Sequence, residues 1–192
     1  SNPLNFNLSE KPDLISPPRL GEHNRHYLSH NDNIVRNEVS QSKLREAFGK
    51  FMTGVTIVSA CQNDGAPRGF TANSFTSVSL KPPLLLVCLS KKALSHEVFM
   101  QADYFAINVL NKNQKSVSSL FSTQSENKFI SDEWDSGFAG VPVLRGCLSN
   151  FVCSREKSID AGDHTILIGR VVDLNTTDGE PLLYFKGQYL LE

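Results

Sequence analysis

The sequence predicts a mainly β protein with small helices, folded as a closed or nearly closed antiparallel barrel. Six or more short segments are strand-like, because they are rich in β-branched residues or form continuous apolar runs. Two or three short helical patterns lie between them, and no internal repeat is present, which excludes a solenoid. The turn sequence QNDGAP at 62–67 joins two of these segments as a hairpin. Short strands with such connections favour an antiparallel barrel.

Chain length and charge limit the architecture and the partners. A chain of 192 residues can support one substantial core with a tail left over. Its 19 basic and 20 acidic side chains are balanced without a basic stripe, so nucleic acid is not an expected partner. The longest apolar runs, such as PPLLLVCLS, fall well short of a membrane span of roughly 20 residues. We therefore expect no membrane partner, and we recognise no signal peptide.

Four cysteines bear on the compartment and on metal binding: Cys61, Cys88, Cys147 and Cys153. None belongs to a CxxC pair, so neither a zinc site nor thioredoxin-type chemistry is predicted. Free thiols are typical of a reducing compartment, which predicts a cytoplasmic protein with no bound metal.

The composition changes near residue 40, which divides the chain into two parts. Residues 1–39 contain four of the nine prolines and no sustained periodicity, so we expect an extended arm or linker. Residues 5–28 resemble the C-terminal tail of class III CoA transferases, which implies that the arm is the remnant of an upstream domain. Residues 40–192 are predicted to form the barrel.

The barrel part begins with a predicted helix and a hairpin. The stretch SQSKLREAFGKF places Leu44, Phe48 and Phe51 at helical spacing, with Ser40 or Ser42 as the N-cap. The β-branched run GVTIVSAC then predicts a strand. After the QNDGAP turn, RGFTANSFTSVSL is predicted to be its partner strand.

The rest of the chain alternates strand-like and helical segments. PPLLLVCLS and DYFAINVL are predicted strands. KKALSHEVFMQA, with Leu94 and Val98 inward, and NQKSVSSLFS are predicted short helices. Three strand-like segments follow: RGCLSNFVCSREKSI, DHTILIGRVVDL and PLLYFKGQYLLE.

The partner strand of the hairpin carries an unusual density of hydrogen-bonding side chains. Residues 69–80 include one amide and five hydroxyls: Asn73, Thr71, Ser74, Thr76, Ser77 and Ser79. A half-buried hydroxyl without a partner costs about 1–3 kcal/mol, so these groups need partners. One interpretation is a polar shelf at the barrel rim for a flat, heteroatom-rich ligand with a phosphate. The other is a strand whose hydroxyls simply face solvent.

A possible anion site follows the next strand. Ser90 and Ser95 flank Lys91 and Lys92 where a helix is predicted to start, and a helix N-terminus with nearby cations attracts anions. No GxGxxG motif and no P-loop is present, so neither a Rossmann nor a Walker-type phosphate site is predicted.

Several segments, taken together and in order, resemble the flavin reductase-like family. They are FMTGVTIVSACQNDGAPRGFTANSFTSVSLKPPLLLVCLS, FAINVLNKNQKSVSSLFS, AGDHTILIGRVVDL and EPLLYFKGQYLLE, and the likeness runs from about Leu44 to Leu191. The resemblance implies an FMN-binding split barrel that acts as an NAD(P)H:flavin oxidoreductase. Such a protein transfers hydride from NADH or NADPH to FMN or FAD, supplies reduced flavin to a partner monooxygenase, and forms a homodimer. The alternative is a split-barrel module that binds flavin or haem without turnover.

The resemblance also implies roles for individual residues. Those matched to the cofactor are Thr71, Ala72, Asn73, Ser74, Cys88, Leu89 and Ser90 around the ring and ribityl chain, Ser95 and Lys91 near the phosphate, and Ser119 and Phe121 closing over the flavin. His164, in the Gly-Asp-His segment, is matched to the catalytic position beside the nicotinamide. Its alternative is a structural histidine bonded to a neighbouring strand or loop. Tyr189 is either a nicotinamide contact or a plain strand aromatic.

Overall fold

The computed structural model describes residues 39–125 and 127–190. The expectations for the N-terminal arm and for its likeness to CoA transferases lie outside the described residues. Three α-helices are present in this part of the chain: α1 (Gln41–Gly49), α2 (His96–Gln101) and α3 (Lys115–Phe121). The strands are β1 (Thr53–Gly54), β2 (Thr56–Cys61), β3 (Pro67–Ala72), β4 (Phe75–Leu80), β5 (Pro83–Ser90), β6 (Tyr104–Val109), β7 (Trp134–Ser136), β8 (Pro142–Leu144), β9 (Ser149–Ala161), β10 (His164–Thr176), β11 (Leu183–Phe185) and β12 (Gln188–Leu190).

Seven strands form one antiparallel sheet in the order β3-β2-β6-β9-β10-β5-β4. Strands β3 and β4 lie at opposite edges of this order, yet only Asn73 and Ser74 separate them along the chain. The three Cα steps from Ala72 to Phe75 reach at most about 11 Å. The sheet must therefore curl until its two edges meet at residues 71–75, which we call the seam. The predicted antiparallel barrel is confirmed.

The inside of the barrel is filled by alternate residues of its strands. Leu85, Val87 and Leu89 of β5 are buried, as is Leu167 of β10, while their sequence neighbours are more exposed. The Phe105 ring packs directly on the backbone of Gly169. A Cβ at this position would stand 2.7 Å from the Phe105 ring and 2.7 Å from the Cβ of Cys153. The glycine therefore lets an aromatic side chain fill the centre of the core.

The buried amide side chain of Asn108 links four strands, β2, β6, β8 and β9. Asn108 of β6 is fully buried and donates to the carbonyl of Ile57 at 2.9 Å and to Ser59 Oγ at 3.0 Å. Its Oδ1 accepts from Leu144 N at 3.0 Å and from Asn150 Nδ2 at 2.8 Å. Asn108 thus holds the β7–β8 hairpin, through β8, against β2 and β9. Its hydrogen-bonding capacity is fully used.

Two predictions about the polar strand and the helix after β5 are wrong. Residues 68–80 are not one strand, because the chain crosses from one sheet edge to the other at the seam. Leu94 is not inward: its side chain is 78% exposed, because α2 begins only at His96. Phe99 takes the inward position and packs edge-to-face on Phe70, with 5.1 Å between the ring centroids.

The predicted first helix is confirmed, but its apolar face is uncovered. Ser40 occupies the N-cap position without a capping hydrogen bond, and its hydroxyl bonds that of Ser42 instead. Leu44 and Phe48 are exposed along the helix, and Phe51 just beyond its end is more exposed still. No helix in the described part of the chain has the length and apolar character that crossing a membrane would take.

Candidate functional site

The first part of the seam is fixed to α3. Thr71 Oγ1 donates to the carbonyl of Ser118 at 2.6 Å, and Ser118 Oγ lies 2.6 Å from Tyr189 OH. Ser118 is fully buried, so these bonds form in a protected environment. The structure therefore brings together two residues that the sequence singled out, Thr71 and Tyr189. Ser118, which joins them, was missed because its role depends on packing between distant segments.

The second part of the seam is fixed to β5 by a serine hydroxyl. Ser74 Oγ donates to the carbonyl of Cys88 at 3.0 Å and accepts from its N–H at 3.1 Å. The Ser74 hydroxyl replaces the backbone N–H and carbonyl that would otherwise pair with Cys88, just before the pairing of β4 with β5 begins at Phe75. Asn73, between the two fixed points, is exposed, and its side chain makes no hydrogen bond within residues 39–125 and 127–190. Both hydroxyls of the seam are thus structural, and the amide is free to meet a ligand.

Beside the seam, strands β5 and β10 present a mixed face on the outside of the barrel. His164 pairs with Ser90, and Ile166 pairs with Cys88. All four are partly exposed, while the residues between them, such as Leu89, are buried. Because strand side chains alternate between faces, these four point outward together. Ser74, just before β4, bonds Cys88, and two strand spacings of about 4.8 Å separate its strand from β10, which carries His164. We call this surface the outer face.

His164 sits at the first position after a two-residue hairpin loop between β9 and β10. Gly162 has φ +63°, which suits the first position of a type II′ turn. Asp163 Oδ1 lies 2.7 Å from His164 Nδ1. This hydrogen bond lowers the pKa of Asp163, so the carboxylate accepts and Nδ1 carries the proton. The imidazole Nε2 is then the nitrogen available to a ligand, and the side chain is 45% exposed.

Lys91 is directed at this same hairpin turn. Its ammonium donates to the carbonyl of Gly162 at 2.7 Å and forms an ion pair with Asp160. Its backbone N–H donates to the carbonyl of Asp163 at 3.0 Å. The side chain is therefore committed to protein partners that the sequence did not indicate.

Several predicted cofactor residues are not exposed to a ligand. Leu89 and Phe121 are each 1% exposed, and Ala72 is also buried. The prediction that Phe121 closes over a cofactor is wrong for its side chain, which lies in the core under Gly69. Leu89 and Ala72 can contribute only backbone groups. Ser119 is exposed on α3, and Ser95 is almost buried before α2 without capping it.

The thiol of Cys88 contributes a neutral surface to the outer face. Partial burial raises its pKa, which outweighs the opposing hydrogen bond with Ser74. The thiol therefore stays protonated near neutral pH and adds apolar area beside Ile166. Within residues 39–125 and 127–190, no three His, Cys, Asp or Glu side chains are grouped to hold a metal ion.

A comparison with models of known protein families identifies the family of this chain. The model described as "Flavin reductase like domain" matches residues 48–190, which include the seam and the outer face. The chain belongs to this family. The flavin reductase-like resemblance noted from the sequence is confirmed.

Relatives within the family carry related names. The chain is 45% identical over 147 residues to the reductase component of the flavin-dependent trigonelline monooxygenase of Acinetobacter baylyi, covering 77% of this chain and 47% of that protein. It is 43% identical to the FMN reductase (NADH) of Agrobacterium fabrum, covering 76% and 82%. The chain spans about half the length of the first two curated relatives it matches.

A solved structure in the family shows the same fold. The NADH:FAD oxidoreductase of Streptomyces globisporus, solved with NAD and FAD fragments, superposes with a TM-score of 0.75 at 36% identity. The comparison covers 79% of this chain and 92% of that one. The predicted split-barrel class is thereby confirmed by a flavin reductase structure.

Proposed function

We propose that this chain is an NAD(P)H:flavin oxidoreductase that reduces FMN or FAD and supplies the reduced flavin to a partner monooxygenase. The observation that carries the proposal is the outer face, where His164 is fixed with its Nε2 outward beside a partly apolar strand surface and an exposed amide. Family membership and this geometry point to the same chemistry.

The residues beside the seam fit a flavin. An isoalloxazine ring is flat, with apolar faces and polar atoms along its edges. Cys88 and Ile166 offer a neutral, partly apolar surface, and Asn73 and Ser90 offer hydrogen-bonding groups at its margin. We propose that Thr71 and Ser74 contribute by fixing the seam backbone, with the exposed Ser119 as a further contact. Ser90 Oγ already accepts from Lys92 N at 3.2 Å, which keeps its own proton available to a ligand.

A bound flavin supplies the hydride-accepting ring, so the protein needs only to bind and orient. Two rings must be held within about 3–3.5 Å of each other for transfer. His164 suits this task, because Asp163 fixes its tautomer and orientation while Nε2 can bond a polar group of the nicotinamide. No nucleophile or carboxylate pair is required. Tyr189 lies behind the seam, where it supports α3 through Ser118.

The relatives support both the activity and the partner. The proteins named FMN reductase (NADH) and NADH:FAD oxidoreductase support reduction of either flavin with NADH as donor. The reductase component of the trigonelline monooxygenase supports delivery to an oxygenase. All four cysteines are free thiols, which supports our placement of the protein in the cytoplasm.

The test is NADH and NADPH consumption by the purified chain with added FMN or FAD. We expect flavin-dependent loss of the reduced nicotinamide absorbance, with one nicotinamide preferred. Flavin binding, seen as fluorescence quenching, without consumption of either nicotinamide would contradict the enzyme and favour the non-catalytic module. Absence of both binding and consumption would overturn the proposal.

Substitution of Ser74 should weaken flavin binding. Ser74→Ala removes both hydrogen bonds to Cys88 and leaves that backbone pair unsatisfied at the seam. We expect the Kd for flavin to rise about tenfold, equivalent to about 1.4 kcal/mol. Fluorescence titration measures this, with Ser79→Ala as the matched control on β4. Equal affinities for the two variants would contradict a role for the seam in binding.

We also propose a homodimer. Leu84 and Leu86 of β5 are partly exposed, and Ile168 of β10 pairs with Leu86, so the apolar surface continues beyond the residues proposed for the flavin. An apolar strand face of this kind needs a cover, and a two-fold pair is the commonest closed arrangement. Light scattering should give twice the chain mass. A monomer at micromolar concentration would contradict it.

A further inference from the structure

The hairpin turn that precedes His164 is exposed to solvent and buries little of its surface. Asp160 and Asp163 are 82% and 89% exposed, and Gly162 is exposed between them. Exposed turns are among the less protected parts of a fold, so contacts from a neighbouring strand can restrain this one. His164 is the first residue after the loop, so the orientation of its side chain, which bonds Asp163 in the loop, depends on how firmly the turn is held.

Lys91 supplies restraints from the neighbouring strand. It follows Ser90, the last residue of β5, whose partner across the sheet is His164. From there its N–H bonds Asp163, its ammonium bonds the Gly162 carbonyl, and the same ammonium pairs with Asp160 of β9. One residue therefore ties β5 to both sides of the turn.

We propose that Lys91 is a positioning residue that fixes the Asp160–His164 turn, rather than a ligand of the flavin phosphate. This inference deepens the proposed function and rests on it for the kinetic outcome. The side chain of Lys91 restrains the turn through its bond to the Gly162 carbonyl together with the ion pair to Asp160, and its backbone bond to Asp163 is independent of the side chain. The ion pair with Asp160 keeps the ammonium over the turn.

The two possible roles of Lys91 make opposite predictions. If it positions His164, Lys91→Met should lower kcat/KM for NADH about tenfold, since small misplacements are costly in such a site. The Kd for FMN should change by less than about twofold. If it contacts the phosphate, Lys91→Met should raise the Kd for FMN about tenfold and leave the Kd for riboflavin unchanged. Titrating both flavins therefore separates the roles.

Two further variants make the comparison specific. Lys91→Arg keeps a cation and donors for Gly162, so it should recover most of the lost kcat/KM. Lys157→Met removes an exposed lysine of β9 whose side chain makes no hydrogen bond or ion pair within the described part of the chain, and it should behave like wild type. Failure of Lys91→Arg to recover activity, or an equal loss in Lys157→Met, would count against positioning.

Amide hydrogen exchange tests the restraint without any turnover. In Lys91→Met the amides of residues 160–164 should exchange at least about tenfold faster, while those of β6 stay unchanged. Unchanged exchange in the turn would overturn the inference whatever the kinetics show. If the wild type neither binds flavin nor consumes NADH, the proposed function fails, and the exchange result still decides whether Lys91 fixes the turn.

Discussion

Asn108→Leu should destabilise the protein by roughly 3–5 kcal/mol, the largest stability effect we expect from one substitution in this core. Leucine is similar in size to asparagine, but it lacks the amide N–H groups that donate two hydrogen bonds and the amide oxygen that accepts two. Leu144 N and the Ile57 carbonyl then lose partners in a fully buried region. An orphaned buried group costs about 1–3 kcal/mol, and domains of this size have only about 5–15 kcal/mol in total.

The effect is measured by urea unfolding of the purified chain. Ile107→Val is a suitable control, because Ile107 is the preceding residue of β6, is fully buried, and should lose only about 1 kcal/mol. We expect Asn108→Leu to lose several times more. A loss no larger than that of the control would show that the amide network is not what holds the β7–β8 hairpin.

His164→Ala should slow hydride transfer by a factor of about ten to a few hundred, which corresponds to about 1.4–3 kcal/mol of lost transition-state stabilisation. Flavin affinity should remain nearly intact, because the seam and β5 supply most of the contacts we propose for the flavin. Stability should also change little, because the side chain is 45% exposed and bonds only the exposed Asp163. Single-turnover rate, flavin Kd and unfolding are measured on the same variant.

His96 provides a matched control, as it is the other histidine in the described part of the chain. Its Nε2 lies 2.9 Å from Oγ1 of Thr165, which is buried on the inner side of β10. His96→Ala should therefore lower stability and leave the rate per bound flavin unchanged. If His164→Ala instead behaves like His96→Ala, then His164 is a structural residue and its assignment is wrong.

Local sequence patterns predicted the elements better than their connections. The continuous apolar run of β5 and the β-branched run of β2 are strands, because burial and side-chain shape favour them directly. The break at Asn73 and Ser74 could not be predicted, because it depends on two sheet edges that meet only once seven strands have paired. Leu94 was misplaced for a similar reason: α2 starts later than its apolar spacing indicated.

For the candidate site, too, the sequence indicated local features but not the contacts that tertiary packing creates. The hydroxyl-rich segment contains the seam, where Thr71 and Ser74 each bond a distant backbone group, and its role as a shelf for a ligand stays a prediction. The sequence could not show that Phe121 turns into the core, nor that Lys91 reaches the turn before His164. Both outcomes depend on which side of a strand or helix faces a distant neighbour.

The most direct test of the account is an anaerobic single-turnover experiment on the purified chain with bound FMN or FAD. Rapid mixing with NADH or NADPH should bleach the long-wavelength flavin absorption as the nicotinamide is oxidised, in equal amounts. The bleaching should be slowed in His164→Ala and normal per bound flavin in His96→Ala. A wild-type chain that binds flavin tightly yet leaves it oxidised with both nicotinamides would contradict a flavin reductase.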